Sequence, residues 1–305
     1  MQDERSAAMA GLLRTPAEAS PKYFYDRLGS HLFDAITELP EYYPTRTEAG
    51  IFASHGAEMA QRIGARASFI DLGAGNCAKA ARLLPLLDPQ RYVAVDISAG
   101  YLQDALRELQ RDHPSLDIVG VGMDFSQAPT LPAGAIAPGS RPVFFYAGSS
   151  IGNFTPAEAE RFLSSLRAQA DGGGLLIGVD LVKPVDVLEA AYDDALGVTS
   201  AFNLNLLRNL NRAIGSDFDP SGWRHVALFN VEASRIEMHL EARHAQTVRW
   251  ASGERAFAAG ERLHTENSYK YTVGSFAELL GRAGFRASRC WTSDNGWFAV
   301  FWAAA

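Results

Sequence analysis

Ser68-Phe69-Ile70-Asp71-Leu72-Gly73-Ala74-Gly75-Asn76 is the stretch on which the fold turns. An apolar run leads into an acidic residue, then into Gly-x-Gly, and a helical stretch starts near Cys77. That order reads as a buried parallel strand, a tight turn and a helix N-terminus. The glycines let the backbone approach a ligand closely. Two nucleotide-type ligands compete for such a turn. A dinucleotide rests its pyrophosphate on the helix N-terminus, and Gly73-Ala74-Gly75-Asn76-Cys77-Ala78 satisfies the permissive G-x-G-x-x-G/A pattern. S-adenosylmethionine carries no phosphate. It needs a carboxylate near its charged methionine end, and Asp71, two residues before Gly73, suits it. The turn alone does not choose, because any strand-to-helix turn can hold two glycines.

Outward from this turn, apolar strands and helices alternate. A helix is expected from Thr47 to about Gly64. Strands are expected over 68–73, 91–97, 117–124, 142–147 and 174–181, with helices over 77–87, 99–112 and 155–170 and a Pro- and Gly-rich loop over 127–141. Apolar strands spaced by helices predict an α/β fold with a mostly parallel sheet covered on both faces. The alternation stops after residue 183. Two helices are expected within 184–213 and antiparallel strands within 225–251, an inserted second unit. A helix over 274–284 returns to the sheet, and a terminal antiparallel hairpin closes around Asn295-Gly296. Residues 1–20 read as a mobile arm or a short helix.

Open α/β sheets bind ligands beyond the carboxyl ends of their strands. Asp71 ends the first strand. Asp96 ends the second, where a carboxylate accepts ribose hydroxyls. Asp124 and Phe125 end the third, offering an acceptor for an adenine amino group and an apolar face for its ring. Gly148-Ser149-Ser150-Ile151-Gly152-Asn153-Phe154 ends the fourth, a loop of small residues able to admit a substrate. Lys79 lies in the first turns of the first helix, within reach of a cofactor's carboxylate or ribose. Singly, these residues have duller readings: Asp96 caps the next helix, Asp124 closes a turn, Lys79 is solvated. Acidic groups on three consecutive strand ends favour S-adenosylmethionine over a nicotinamide dinucleotide. With the terminal hairpin they describe a class I (Rossmann-like) methyltransferase architecture with a seven-stranded sheet.

Composition bounds the rest. The 305 residues are 47% hydrophobic and 21% charged, ordinary for a globular chain, with a formal net charge of −7. That charge, with no basic run, argues against a nucleic-acid partner. Two cysteines, Cys77 and Cys290, make no disulfide framework, and seven scattered histidines lack metal-ligand spacing. No apolar run is long enough to span a bilayer, and Met1-Gln2-Asp3-Glu4-Arg5 lacks a signal-peptide core. The expectation is a cytoplasmic, metal-independent monomer acting on a small molecule, without membrane or nucleic-acid partners.

Residues 21–52 are unusually aromatic, and such density outside a periodic pattern lines a pocket or docks a segment. Tyr23-Phe24-Tyr25-Asp26, Leu39-Pro40-Glu41-Tyr42-Tyr43-Pro44-Thr45-Arg46-Thr47-Glu48, Gly148-Ser149-Ser150-Ile151-Gly152-Asn153-Phe154, Ala191-Tyr192-Asp193-Asp194-Ala195, Phe202-Asn203-Leu204-Asn205 and Ile236-Glu237-Met238-His239-Leu240 resemble the histidine Nα-methyltransferases of ergothioneine biosynthesis. The resemblance runs from about residue 20 to the end. It implies a methyltransferase domain over 48–183 and 271–305 and an α+β substrate-binding domain over 1–47 and 184–270. By motif it implies that Asp71, Gly73, Gly75, Lys79, Asp96, Asp124 and Phe125 hold S-adenosylmethionine. Gly148, Asn153 and Tyr192 would meet the amino acid's carboxylate and amine. Tyr43, Glu266 and Ser268 would face the imidazole, Met238 would wall the ring, and Tyr25 and Phe33 would line the space by the amine. Asn153, Tyr43 and Tyr25 are the expected catalytic side chains. The departures are small: Asp-Leu-Gly-Ala-Gly-Asn replaces an expected Glu and Ser-Gly-Thr in the first loop, and Ser150 stands where Thr is usual.

The implied reaction is Nα-methylation of L-histidine, carried to the trimethylated betaine hercynine. Glu266 selects a ring that both donates and accepts; an indole, as in a tryptophan derivative, leaves that carboxylate unpaired. An NAD-dependent oxidoreductase would need a proton donor beside the nicotinamide, and none is identifiable. A non-catalytic cofactor-binding subunit would not need Asn153 and Tyr192.

Overall fold

Phe69 and Asp71 point to one face of their strand and Ile70 and Leu72 to the other, and all four are buried. This is the signature of a strand with helices on both sides. The computed structural model describes residues 2–126 and 130–305, so Met1 and the start of the expected 127–141 loop lie outside the described residues.

In chain order the first half comprises α1 (Gln2–Leu12), β1 (Ala17–Glu18), α2 (Arg27–Thr37), α3 (Tyr43–Ile63), β2 (Ser68–Leu72), α4 (Ala78–Ala81), α5 (Leu84–Leu87), β3 (Arg91–Asp96), α6 (Ala99–Asp112), β4 (Asp117–Gly122) and β5 (Pro142–Tyr146). The second half comprises α7 (Pro156–Gln169), β6 (Gly174–Asp180), α8 (Val185–Ala190), α9 (Val198–Ile214), β7 (Trp223–Asn230), β8 (Arg235–Ala242), β9 (Gln246–Trp250), β10 (Gly253–Phe257), β11 (Arg262–Tyr269), α10 (Val273–Arg282), β12 (Ala287–Thr292) and β13 (Phe298–Ala304). The chain divides into two compact units: Met1–Tyr43 with Lys183–Ser268, and Pro44–Val182 with Tyr269–Ala305.

The second of these units holds a seven-stranded sheet in the order β12-β13-β6-β5-β2-β3-β4. Strands β2 to β6 run parallel, and β13 is antiparallel to both its neighbours. The chain starts mid-sheet at β2, moves out to β4, then returns to β5 on the other side of β2. That reversal opens a crevice at the carboxyl ends of β2 and β5. This strand order, with its antiparallel insertion, is the class I methyltransferase fold. One face packs Ile70, Val93, Phe144 and Ile177 against Phe162 and Leu166 of α7 and Phe276 and Leu280 of α10. The other packs Phe69, Tyr92, Phe145 and Val300 against Ile51, Phe52 and Met59 of α3 and Leu102 and Leu109 of α6.

The other unit is α+β. Its four-stranded sheet runs β1-β11-β8-β7, and β9 and β10 form a separate hairpin. Helix α9 packs on β7, β8 and α2. Strands β10 and β11 were not among the sequence expectations.

Two local expectations change and a third is decided. The helix expected over 77–87 is two short helices, because Pro85 has no N–H to give the Ala81 carbonyl. Helix α3 starts at Tyr43 rather than Thr47, since Pro44 is preset for a first helical turn. Of the two readings of the N-terminal segment, the short helix is the one found, as α1; Leu12 and Ala17 are fully buried, and Ala17 pairs in parallel with Leu263 of β11.

Residues 180–182 and 271 lie side by side where the chain leaves and re-enters the larger sheet. Tyr271 N–H donates to Asp180 O at 3.1 Å, and Val182 N–H to Tyr271 O at 3.0 Å. Beside them the Lys270 ammonium meets the Asp180 carboxylate at 2.8 Å, with both side chains at most 1% exposed. Breaking a buried pair leaves one charge uncompensated. Lys270→Met is therefore expected to cost about 3–5 kcal/mol of unfolding free energy. Chemical denaturation measures this, and a loss below about 1 kcal/mol would show that the pair does not secure the junction.

Candidate active site

The glycine turn is held open from below. Gly73 and Gly75 adopt φ of +75° and +54°, where a side chain is strained. Gly73 N–H donates to Val95 O at 2.8 Å. Gly75 N–H donates to one Asp96 carboxylate oxygen at 2.9 Å, and Ser98 N–H to the other at 2.8 Å. Asp96 thus ties the first and second strand ends together, and a carboxylate retains acceptor capacity beyond two such bonds. A Cβ at Gly75 would meet nothing within 4 Å, whereas one at Gly73 would lie 3.5 Å from the Phe125 ring. Phe125 in turn stands edge-on to Tyr146 at 6.0 Å. Asp124 closes its own turn, accepting from Ser126 N–H at 3.0 Å and Ser126 Oγ at 2.6 Å.

Asp71 is buried and accepts from the Tyr92 hydroxyl at 2.7 Å. Burial pushes its carboxyl up to about 7, opposed by that hydrogen bond and by Lys79, and assisted by Asp96 and Glu48. It is therefore a buried group pushed toward protonation, not an open acceptor. Lys79 Nζ lies 3.1 Å from Glu48, a residue no sequence argument singled out. The other Glu48 oxygen accepts from Gly148 N–H at 2.8 Å. Gly148 and Ser149 both take left-handed conformations, φ +73° and +58°, and Asp180 N–H donates to Ser149 Oγ at 2.8 Å. This fixes the loop that ends at half-buried Asn153.

These residues fit S-adenosylmethionine and not a pyrophosphate. Helix α4 after the glycine turn is four residues long, too short to present a macrodipole to a phosphate. Lys79 is paired with buried Glu48, and Asp96 stands at the glycine turn as a carboxylate, which suits a ligand without a phosphate.

The other unit gathers a second set. Tyr25 packs edge-on against Phe33 at 5.9 Å and against Phe202 at 5.6 Å. Phe33 contacts Tyr42 at 6.1 Å, and Tyr42 contacts Tyr192 at 6.4 Å. The Tyr192 hydroxyl shares a hydrogen bond of 2.7 Å with Ser268 Oγ. Phe24 is fully buried and stacks on Phe202 at 4.6 Å, so its role is docking. Asp26 caps α2 through Gly29 N–H at 2.8 Å and also accepts from Asn205 Nδ2 at 2.8 Å, which holds the aromatic segment to α9.

Tyr192 is held from behind. His225 Nε2–H donates to Tyr192 O at 2.8 Å, and Asn203 Nδ2 donates to His225 Nδ1 at 2.8 Å. Both ring nitrogens are used by the neutral tautomer, and burial holds this imidazole below the usual histidine range. Tyr43 is buried and accepts from Lys183 Nζ at 2.8 Å. A hydroxyl that accepts from an ammonium keeps its O–H as a donor.

Strand β11 changes its alternation. Arg262 reaches Glu241 at 3.0 Å, and the His264 ring meets His239 at 5.1 Å. Glu241 lies opposite Arg224, on the face away from His225, which lies opposite Leu240. Ser268 instead meets Tyr192, on the His225 face. Residues 262, 264 and 268 would share a face in an unbroken strand, so one residue slips between them, as a bulge does. The slip turns Ser268 toward Tyr192, and Glu266, two residues before it, shares that parity. Glu266 is only 8% exposed, so it is no solvent-facing strand residue. Met238 is buried on the His225 face, opposite Ala227.

Sequence reasoning missed Glu48, Lys183, His225 and Asn203. Two of them, Glu48 and Asn203, sit inside quoted family strings, yet nothing in a string says that Glu48 underlies Gly148, 100 residues away. Among the described residues no group of three or more His, Cys, Asp or Glu is arranged to hold a metal, and no helix is long and apolar enough to cross a membrane.

A protein-family model described as histidine-specific methyltransferase, SAM-dependent, matches residues 4–305. The histidine N-alpha-methyltransferase of Mycolicibacterium smegmatis is 42% identical over 97% of this chain and 93% of its own. That of Mycobacterium tuberculosis is 39% identical over 98% and 94%. The ergothioneine biosynthesis protein 1 of Neurospora crassa is 31% identical over 92% of this chain, which spans 32% of that longer protein. A solved S-adenosylmethionine-dependent methyltransferase from Clostridium acetobutylicum aligns with a TM-score of 0.47 at 12% identity, over 90% of this chain and 96% of that one. With a family model matched across nearly its whole length and relatives this similar end to end, the chain belongs to the SAM-dependent, histidine-specific methyltransferases.

Proposed function

We propose that the protein transfers methyl groups from S-adenosylmethionine to the α-amine of L-histidine, on to the trimethylated betaine hercynine, in ergothioneine biosynthesis. The observation that carries the substrate assignment is the Tyr192–Ser268 hydrogen bond on the same strand face as buried Glu266. A carboxylate placed there accepts from an imidazole N–H, and the Tyr43 hydroxyl, already accepting from Lys183, donates to the other ring nitrogen. An indole leaves the carboxylate unpaired, so a tryptophan derivative is disfavoured.

The unit of Pro44–Val182 and Tyr269–Ala305 is read as the methyltransferase domain, the other as the substrate-binding domain. Asp96 takes the cofactor's ribose, Gly73 and Phe125 flank its adenine with Asp124 at the amino edge, and Lys79 takes its carboxylate. Gly75 leaves the turn open, and Asp71 lies buried beneath it. When bound, S-adenosylmethionine supplies an activated methyl on a sulfonium. The chain has to hold a neutral amine in line with it. Asn153 and Tyr192 orient the amino acid, with Gly148 giving the loop its bend. Desolvation lowers the pKa of the α-amine, which puts the weight of catalysis on positioning. Tyr25, backed by Phe33, offers its ring face to the growing ammonium.

Incubation of the pure protein with S-adenosylmethionine and all twenty amino acids, read by mass spectrometry, is expected to yield histidine carrying three added methyls. Methylation of a different amino acid would discard the assignment. Glu266→Ala is expected to lower kcat/KM for histidine at least 100-fold, in line with a site built to pair a substrate N–H. Binding of S-adenosylhomocysteine, followed by calorimetry, should be unaffected.

Acid sets a limit on the substrate-binding domain. Burial holds His225 and His264 below the usual range and His239 at about 4. Groups whose folded pKa is depressed bind their proton first in the unfolded chain. The stability they contribute is full above about 6.5 and falls as pH drops below it. Asp71 works in the opposite sense: its raised value favours the folded state at low pH and loses that contribution as pH rises toward 7. In an Asp71→Asn background, the urea midpoint should fall steadily between pH 7 and pH 5. A flat profile would contradict the neutral, buried histidines.

A further inference from the structure

Glu48 comes from the first turns of α3 and is 1% exposed. Two glycines leave room for the pair, one for Glu48 and one for Lys79. On β6, a Cβ at Gly178 would lie 1.9 Å from Glu48 Oε1. At the end of β5, a Cβ at Gly148 would lie 2.4 Å from Lys79 Nζ, so the lysine head rests directly on the bare Gly148 α-carbon. One Glu48 oxygen accepts from Gly148 N–H at 2.8 Å while the other stands 3.1 Å from Lys79 Nζ. The carboxylate itself is sealed, but the Lys79 side chain is 34% exposed. The contact is an ion pair without a hydrogen bond, so the buried carboxylate holds the flexible lysine stem in place by charge.

We propose that Glu48 is a positioning residue: one buried carboxylate sets both the cofactor-facing ammonium of Lys79 and the backbone of the Gly148–Asn153 loop, so that the groups holding donor and acceptor share a single anchor. This rests on the proposed function for what Lys79 and the loop hold. Glu48 touches neither ligand; it acts by removing the rotamer freedom of Lys79 and by holding Gly148 in its left-handed turn. Lost anchoring therefore appears mainly in ligand affinity, with the chemical step less affected.

The test uses the full chain and the variants Glu48→Gln, Lys79→Met and their combination. Three quantities are read: S-adenosylhomocysteine affinity by calorimetry, the KM and kcat for histidine, and exchange of the Gly148 amide by NMR. Glu48→Gln is expected to weaken S-adenosylhomocysteine at least tenfold, raise the KM for histidine at least fivefold, and change kcat less than either. The double variant should bind S-adenosylhomocysteine no more weakly than the weaker single, because both changes break one unit. Affinity losses that add in the double variant, or a Glu48→Gln protein within twofold of the parent in affinity and KM, would overturn the proposal.

Should Glu48→Gln fail to fold, Lys79→Met alone decides. Releasing the carboxylate from its ammonium is expected to shift the Gly148 amide resonance and hasten its exchange, and an unmoved amide overturns the proposal. If the parent methylates no histidine but these affinity and amide changes appear as stated, the proposed function fails and the anchor stands. If the parent methylates histidine and the variants match it, the anchor alone fails.

Discussion

A carboxylate taken out of water has to find a partner, and the larger unit of this protein is built around that constraint. Behind the strand ends lie three buried acids: Glu48, Asp71 and Asp180. Each is answered differently. Glu48 faces an ammonium and a backbone amide, Asp180 faces the buried Lys270, and Asp71 takes a tyrosine hydroxyl and is pushed toward protonation. The same groups sit where the chain must bend: Gly148 above Glu48, Ser149 against the Asp180 amide, the exit to the inserted unit beside Lys270. Desolvation cost is thereby converted into fixed loop geometry, since a loop whose movement strands a buried charge does not move cheaply.

The smaller unit is tied to its central helix by side-chain amides. Asn203, Asn205 and Asn209 of α9 reach His225, Asp26 and the Tyr23 carbonyl respectively. The last two tie the helix to the segment that bears Tyr25, a proposed substrate contact. His225 extends the first of these ties to Tyr192. The consequence is an aromatic wall whose polar tips are oriented before a ligand arrives, the preorganisation that a displacement reaction relying on alignment needs.

The two solutions divide the chemistry sensibly. A cationic, phosphate-free ligand is served by the Asp96 carboxylate at an open glycine turn, and the one-turn helix beyond it withholds the dipole a pyrophosphate requires. For an amino acid with a donor–acceptor ring, the proposed contacts are a buried acid, a serine and two tyrosine hydroxyls set among aromatic faces.

Much of this was legible in the chain itself. The order of strands and helices from residue 68, the glycine turn, the strand-end acids and the break in alternation near residue 183 follow from periodicity and turn chemistry, which are local properties. Family strings named the candidate side chains. What local pattern did not contain was partnership. Asp96 read as a ribose acceptor, yet it also pins Gly75; Asp71 read as an open carboxylate, yet it is sealed under Tyr92. The slip in β11 that turns Ser268 toward Tyr192 is invisible to a period-two reading, since a bulge is fixed by the neighbouring strand. Glu48 lay in plain view in an aromatic-rich string, but its meaning depends on two glycines, a lysine and an amide from distant segments. The sequence by itself determined which elements form and in what order. Only the tertiary structure decided which buried charges meet, because burial and pairing are properties of the packed sheet and not of any one segment.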